Sequence, residues 1–226
     1  LNQADLAGVH FTGSTATFNA LSRGVAENLG RYRSYPRMVG ETGGKDFVFV
    51  HPSADVDTAV TALLRGAFEY QGQKCSAASR AYVPQSLWPK IQERLVAQTR
   101  ELRMGDVRDF RCFINSVIDE RSFQKISGYQ QFAKQASDAK VLVGGGSKAD
   151  VGYFVEPTVI QTDNPHFKTL SEEIFGPVLS ILPYADARLE ETLTLCDQTS
   201  PYALTGAVLG RDRGALNHMA ARLRHA

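Results

Sequence analysis

Short apolar runs that read as strands alternate along this chain with stretches whose apolar residues recur every three and four positions. Residues 9–11, 37–39, 47–50, 81–83, 141–143, 154–160, 178–182 and 204–209 have the first character. The helical pattern places Phe18, Leu21, Val25 and Leu29 on one face, with Gly30 as a stop. A second helix starts after Pro52-Ser53-Ala54-Asp55 and carries Val56, Val60, Leu63 and Ala67. A third is marked by Trp88, Ile91, Leu95 and Leu102, and residues 120–136, 189–196 and 213–224 complete the set. Such alternation specifies an α/β architecture with a largely parallel sheet, because successive parallel strands need a crossover between them.

Bulk properties narrow the function classes. With 25 Lys and Arg against 24 Asp and Glu, the 226-residue chain has a net charge of +1 and lacks the basic footprint of a nucleic-acid binder. Its apolar runs are too short and interrupted to suggest a membrane span, and no cationic, apolar leader opens it, so secretion is not expected. Three widely spaced cysteines, Cys75, Cys112 and Cys196, lack a CxxC pair and fit a reducing compartment. His10, His51, His166, His218 and His225 show no metal-ligand spacing, so no metal is expected.

Two polar loops stand out. Glu69-Tyr70-Gln71-Gly72-Gln73-Lys74-Cys75-Ser76-Ala77 delivers a cysteine just beyond a helix, and Glu41-Thr42-Gly43-Gly44-Lys45 sets a carboxylate before two glycines. A cysteine is a strong nucleophile near neutral pH when its thiolate is populated, and a nearby cation such as Lys74 favours that form. The ordinary alternative is a buried small hydrophobe, which Cys112 and Cys196 fit better than Cys75. Gly43-Gly44 is expected to turn sharply and bring backbone close to a ligand. It is not a Walker loop, since Asp46 replaces the required hydroxyl residue. Phe11-Thr12-Gly13-Ser14-Thr15 joins a strand to a helix start, which suits either an anion or a plain N-cap. Glu172-Glu173-Ile174-Phe175-Gly176-Pro177 places a carboxylate two residues from an aromatic ring, fit for a ribose and a planar base or for an ordinary polar loop.

Phe-Thr-Gly-Ser-Thr, Glu-Thr-Gly-Gly-Lys, Gly-Gln-Lys-Cys-Ser and Glu-Glu-Ile-Phe-Gly-Pro occur in that order, and in this order they resemble the aldehyde dehydrogenase superfamily. Gly-Gln-Lys-Cys-Ser-Ala and Glu-Thr-Gly-Gly-Lys-Asp-Phe resemble its Δ1-pyrroline-5-carboxylate (glutamate-γ-semialdehyde) dehydrogenase branch, and the likeness extends through 152–158 and 204–208. The resemblance implies that Cys75 attacks the aldehyde and Glu41 activates the water that hydrolyses the thioester. It implies that Gly13, Ser14, Thr15, Ala16 and Thr17 line NAD, that Glu173 binds its nicotinamide-side ribose, and that Phe175 packs beside the nicotinamide. Ser76 would contact the substrate carboxylate. It further implies a homo-oligomer in a bacterial cytoplasm or mitochondrial matrix, with no membrane or nucleic-acid partner. Residues 1–40 would be the end of a Rossmann-like dinucleotide-binding domain, and 41–226 a catalytic domain cut short at its C-terminus. Family members are much longer, so a catalytically silent piece acting as a binding module stays open, as does a dehydrogenase for another acidic semialdehyde.

Overall fold

A computed structural model of the chain describes residues 1–202 and 204–223. The chain divides into two compact units, Leu1–Gly43 and Gly44–Ala226.

The first unit is a strand–helix–strand. Strands β1 (Gly8–Thr12) and β2 (Arg37–Glu41) pair in parallel, from Gly8 opposite Arg37 to Thr12 opposite Glu41, with helix α1 (Thr15–Glu27) between them. Ser14 caps α1 by accepting the Thr17 N–H at 3.2 Å. The helix ends at Glu27, short of the expected Leu29. Leu29–Arg31 forms a single 3₁₀ turn instead, after Asn28 closes the helix by donating to Val25.

The second unit runs β3 (Asp46–Val50), α2 (Val56–Phe68), β4 (Ala78–Pro84), α3 (Trp88–Glu101), α4 (Glu120–Gln135), β5 (Ala139–Val143), β6 (Ser147–Lys148), β7 (Phe154–Val155), β8 (Thr158–Thr162), α5 (Lys168–Ser171), β9 (Val178–Tyr184), α6 (Leu189–Gln198), β10 (Gly206–Leu209) and α7 (Arg213–Arg222). Six strands form one sheet in the order β10-β3-β4-β9-β8-β5, parallel except where β5 meets β8. Every residue of β3 is buried because both sheet faces are covered. Phe47 and Phe49 join a core with Phe123 and Ile126 of α4, Leu193 of α6 and Met219 of α7. Val48 and Val50 join an opposite core with Val60 and Leu63 of α2 and Ile91 and Leu95 of α3.

Two further expectations need correction. The run 154–160 is two strands, not one: Pro157 has no N–H for a ladder, and β7 pairs with β6 while β8 pairs with β5 and β9. The last strand begins at Gly206 rather than at 204, because Thr205 is held by Asp46 ahead of the ladder. Helix α7 ends at Arg222, and the expected end at Arg224 lies outside the described residues, as does His225.

Since β3, β4, β9 and β10 are mutually parallel in the sheet, the loops that precede them share its amino edge. Those loops carry Gly44, Cys75, Glu173–Pro177 and Thr205. Ligands of open α/β sheets usually gather at the carboxyl edge. Here the singled-out residues of the second unit lie at the opposite one.

Candidate active site

Helix α2 begins at an Asp55 cap, whose side chain accepts the Thr58 N–H at 2.9 Å, and ends at Phe68. Beyond it the backbone turns left-handed at three successive residues, Tyr70 (φ 53°), Gln71 (φ 57°) and Gly72 (φ 63°). Only the third is a glycine, and it is needed twice over. A Cβ there would stand 2.4 Å from the Gly176 carbonyl oxygen and 2.8 Å from that of Ala67. The Ala77 N–H then donates to the Lys74 carbonyl at 2.9 Å, closing a turn with Cys75 and Ser76 at its corner. Cys75 is half-buried and Ser76 exposed. Lys74, the cation expected to support Cys75, instead pairs with Glu69 at 2.9 Å, and Arg65 joins the same carboxylate.

Gly43-Gly44 does not turn sharply. Neither glycine has positive φ, and the reason for glycine at position 44 is close approach: a Cβ there would lie 2.1 Å from the Cys75 carbonyl oxygen. The Gly44 N–H donates to Glu173 Oε1 at 3.0 Å, so Gly44, the Cys75 carbonyl and the Glu173 carboxylate meet at one point. Helix α4 fixes the Glu172–Pro177 loop from behind. Lys125 donates to the Glu173 carbonyl at 2.8 Å, Tyr129 donates to the Glu172 carboxylate at 2.5 Å, and Ile126 fills the space a Gly176 side chain would need. Phe175 is itself left-handed (φ 62°) with 40% of its surface exposed. That combination is uncommon for an aromatic residue and displays the ring.

Behind this point two cations are buried together. Arg80 donates to the Lys45 carbonyl at 2.8 Å, to Tyr82 Oη at 3.1 Å and to the Cys196 carbonyl at 3.0 Å, and it stacks over the Phe47 and Tyr82 rings. Lys45 is 1% exposed, and its Nζ has no hydrogen-bond partner among the described residues. Burial, then the Arg80 charge, pushes the ammonium pKa down to about 7, against the opposing pull of Glu173 and Asp46. Both cations border a cleft of about 210 Å³ also lined by Tyr202 and Thr205.

The folded chain holds the Lys45 proton less tightly than the unfolded chain does, so burying the charged form is destabilising below about pH 7. That penalty is relieved as pH rises from about 7 toward the unfolded value of 10.5. Stability of the wild-type chain should therefore climb relative to Lys45→Met across that window, by up to about 1.4 kcal/mol per pH unit. Urea melts at several pH values check it, and parallel curves for the two proteins would show that Lys45 stays charged in the fold.

In the first unit, Glu41 is exposed, and its backbone carbonyl accepts the Gly13 N–H at 3.1 Å. Ser14 Oγ serves as the helix cap, and Thr15 Oγ1 accepts the Gly43 N–H at 3.4 Å. What remains for an anion is the first-turn amides of Thr15 and Ala16, which have no carbonyl within the helix. Gly13 cannot carry a side chain, since a Cβ would meet the Phe11 ring at 2.6 Å.

The cysteines separate, though not as expected. Cys196 is buried, and burial lifts its thiol to about 12. Cys112 is half-buried in an exposed loop rather than in an apolar pattern, with Sγ against the Gly105 backbone. Brief alkylation near pH 7 should label Cys75 first, Cys112 more slowly and Cys196 not at all in the folded chain. Mass-spectrometric mapping would read this directly, and equal labelling of all three would count against a tuned nucleophile.

The model of the aldehyde dehydrogenase family matches residues 1–226. The chain belongs to the aldehyde dehydrogenase family. This aldehyde dehydrogenase chain is 54% identical over 217 residues to the mitochondrial Δ1-pyrroline-5-carboxylate dehydrogenase of Dictyostelium discoideum, covering 95% of the chain and 39% of that protein. It is 47% identical over 222 residues to the human mitochondrial protein of the same name, covering 98% and 39%. Among solved structures, the Δ-pyrroline-5-carboxylate dehydrogenase from Mycobacterium tuberculosis bound with NAD superposes with a TM-score of 0.93 at 50% identity, over 99% of this chain and 40% of that one. The chain thus spans about two fifths of the length of the relatives it matches.

Sequence reasoning missed Lys45, Arg80, Lys125 and Tyr129. Lys125 and Tyr129 are one helical turn apart, and that spacing alone could have marked a polar face on α4. Nothing local signals that Lys45 is buried. Among the described residues no group of three or more His, Cys, Asp or Glu side chains is placed to hold a metal, and no helix is long and apolar enough to cross a membrane.

Proposed function

We propose that this aldehyde dehydrogenase chain is the catalytic portion of an NAD-dependent enzyme that oxidises glutamate-γ-semialdehyde to glutamate. The observation that carries the proposal is the meeting of the Cys75 turn, Gly44 and Glu173 at the amino edge of the sheet. The relatives named for Δ1-pyrroline-5-carboxylate and the NAD-bound neighbour support it. Residues 1–40 are assigned to the end of a dinucleotide-binding domain and 41–226 to the catalytic domain. Assembly as a homo-oligomer, in a mitochondrial matrix or bacterial cytoplasm, belongs to the same proposal.

Within each unit the residues present suit a part of a dinucleotide. Glu173 keeps one carboxylate oxygen without a protein donor among the described residues, as a ribose hydroxyl requires, and Phe175 offers an exposed ring face. The amides of Thr15 and Ala16 suit a phosphate. When bound, NAD⁺ supplies the hydride acceptor. Cys75 thiolate adds to the aldehyde carbon, giving a thiohemiacetal whose oxyanion is stabilised by the Cys75 backbone N–H and a partner amide. Loss of hydride leaves a thioester on Cys75. Glu41 takes a proton from water, the water oxygen adds to the thioester carbon, and the thiolate leaves with glutamate released. Ser76, exposed at the corner of the turn, donates its hydroxyl to the substrate carboxylate.

NADH formation from glutamate semialdehyde, followed by absorbance, tests the function. Ser76→Ala should lower kcat/KM for that substrate about 10-fold to 100-fold, as expected for losing one hydrogen bond to a charged group. An uncharged aldehyde of similar length should be affected far less. Equal losses for both would place Ser76 in packing around Cys75 rather than in substrate recognition.

A further inference from the structure

Gln71 adopts a backbone conformation that side chains disfavour, yet it is not a glycine. With φ 57° and ψ 28° it sits in the left-handed region beside Tyr70 (φ 53°, ψ 36°), and a glycine would meet the same backbone without penalty. Its side chain is buried, 6% exposed, and both ends of its amide are used. Oε1 accepts the Asn115 N–H at 3.2 Å, and Nε2 donates to the Ser116 carbonyl at 3.4 Å. Two residues on, Gln73 Oε1 accepts the Ile118 N–H at 2.9 Å. The segment they grip is firmly held. Ile114 is buried in one core and Val117 in the other, while Asn115 Nδ2 donates to the Gly105 carbonyl at 3.0 Å. Gly72, between the two glutamines, is wedged against the Gly176 carbonyl.

We propose that Gln71 is a positioning residue: its amide ties the left-handed turn to Asn115 and Ser116, and so fixes where the Cys75 turn stands at the amino edge. The inference rests on the reading of Cys75 as nucleophile. It extends that reading to a side chain that touches neither substrate nor cofactor. Strain at an over-determined turn persists when neighbouring bonds hold it, and it is found where geometry serves function. Gln71 supplies two of those bonds at the left-handed residue itself, Gln73 adds a third, and Cys75 lies four residues beyond Gln71.

The test uses the folded chain with three substitutions. Gln71→Gly removes the amide and also the backbone strain. Gln71→Met keeps length and strain but loses both bonds. Gln71→Glu keeps the acceptor for the Asn115 N–H. Amide hydrogen exchange across residues 70–77 and the ratio of Cys75 to Cys112 alkylation rates are read together. For Gln71→Gly and Gln71→Met we expect exchange in 70–77 to rise and the labelling ratio to fall, each by roughly tenfold. Exchange in β3 and β4 should stay at wild-type values, and Gln71→Glu, which keeps the Asn115 bond but sets an acceptor against the Ser116 carbonyl, should recover only part of the ratio. If both quantities stay at wild-type values in Gln71→Gly and Gln71→Met, the proposal is overturned. A rise in exchange throughout β3 and β4 as well would also overturn it, since Gln71 would then support the fold at large. Wild-type Cys75 that labels no faster than Cys112 would defeat the nucleophile reading instead, and the exchange data would still decide the role of Gln71.

Discussion

Glu41→Gln should leave the first NADH burst largely intact and lower steady turnover by about 10²–10⁴-fold, in any assembly of this chain that turns over an aldehyde. The two halves of the reaction ask different things of Glu41. In the proposed reaction Cys75 adds to the aldehyde as a thiolate, and the hydride leaves from the tetrahedral carbon without a further base. Hydrolysis of the thioester needs water to lose a proton as it attacks, and glutamine cannot accept that proton. Glu41 is exposed on the last residue of β2, so the substitution removes charge without opening a cavity. Stopped-flow absorbance separates the burst from the steady rate. Unchanged steady turnover would remove Glu41 from the mechanism, and loss of the burst would move it to the first half.

Gly72→Ala should destabilise the second unit by roughly 3 kcal/mol, combining the left-handed backbone penalty with overpacking. At roughly 2–4 °C per kcal/mol for a domain of this size, the melting temperature should fall by about 6–12 °C. The methyl would meet two carbonyl oxygens, those of Gly176 and Ala67, and neither is the flexible end of a side chain. Relief requires either the Phe175–Gly176 loop or the end of α2 to move. Calorimetric melts of the variant and wild type measure the shift. A change under 1 °C would mean that the two loops slide past each other freely.

Much of the fold is legible in residue order because apolar periodicity records which faces are covered. The unbroken run of β3 has a helix layer on each side, and the spacing of Val56, Val60, Leu63 and Ala67 matches the buried face of α2. The misreadings have local causes. Phe154–Ile160 is apolar enough for one strand, but Pro157 breaks the ladder where the chain changes partners. Gly43-Gly44 has the composition of a turn, whereas the demand on Gly44 comes from the Cys75 carbonyl, thirty-one residues away. Polar loops hide their burial in the same way. Lys45 follows two glycines and precedes Asp46, as a surface lysine would, and only the sheet assembled around it excludes water. Residue types alone singled out the candidates Cys75, Glu173 and Phe175 in the second unit and Glu41 in the first. The side chains that hold their loops, Gln71, Lys125 and Tyr129, have roles set by tertiary contacts that no local pattern encodes.

The placement of these loops at the amino edge has an electrostatic consequence. A helix that leads into a strand's amino end presents its carbonyl terminus there, where the macrodipole is negative. Helix α2 does this immediately before the Cys75 turn, the reverse of the helix N-termini that commonly favour a thiolate. An anion forming at that edge therefore draws no help from α2. Its stabilisation must come from individual backbone amides and from the positive charge of Arg80 and Lys125, with Lys45 adding its charge only below about pH 7. A site of this kind is sensitive to single charge-neutralising changes in a way that a dipole-supported site is not, because no extended array of peptide groups makes up the loss.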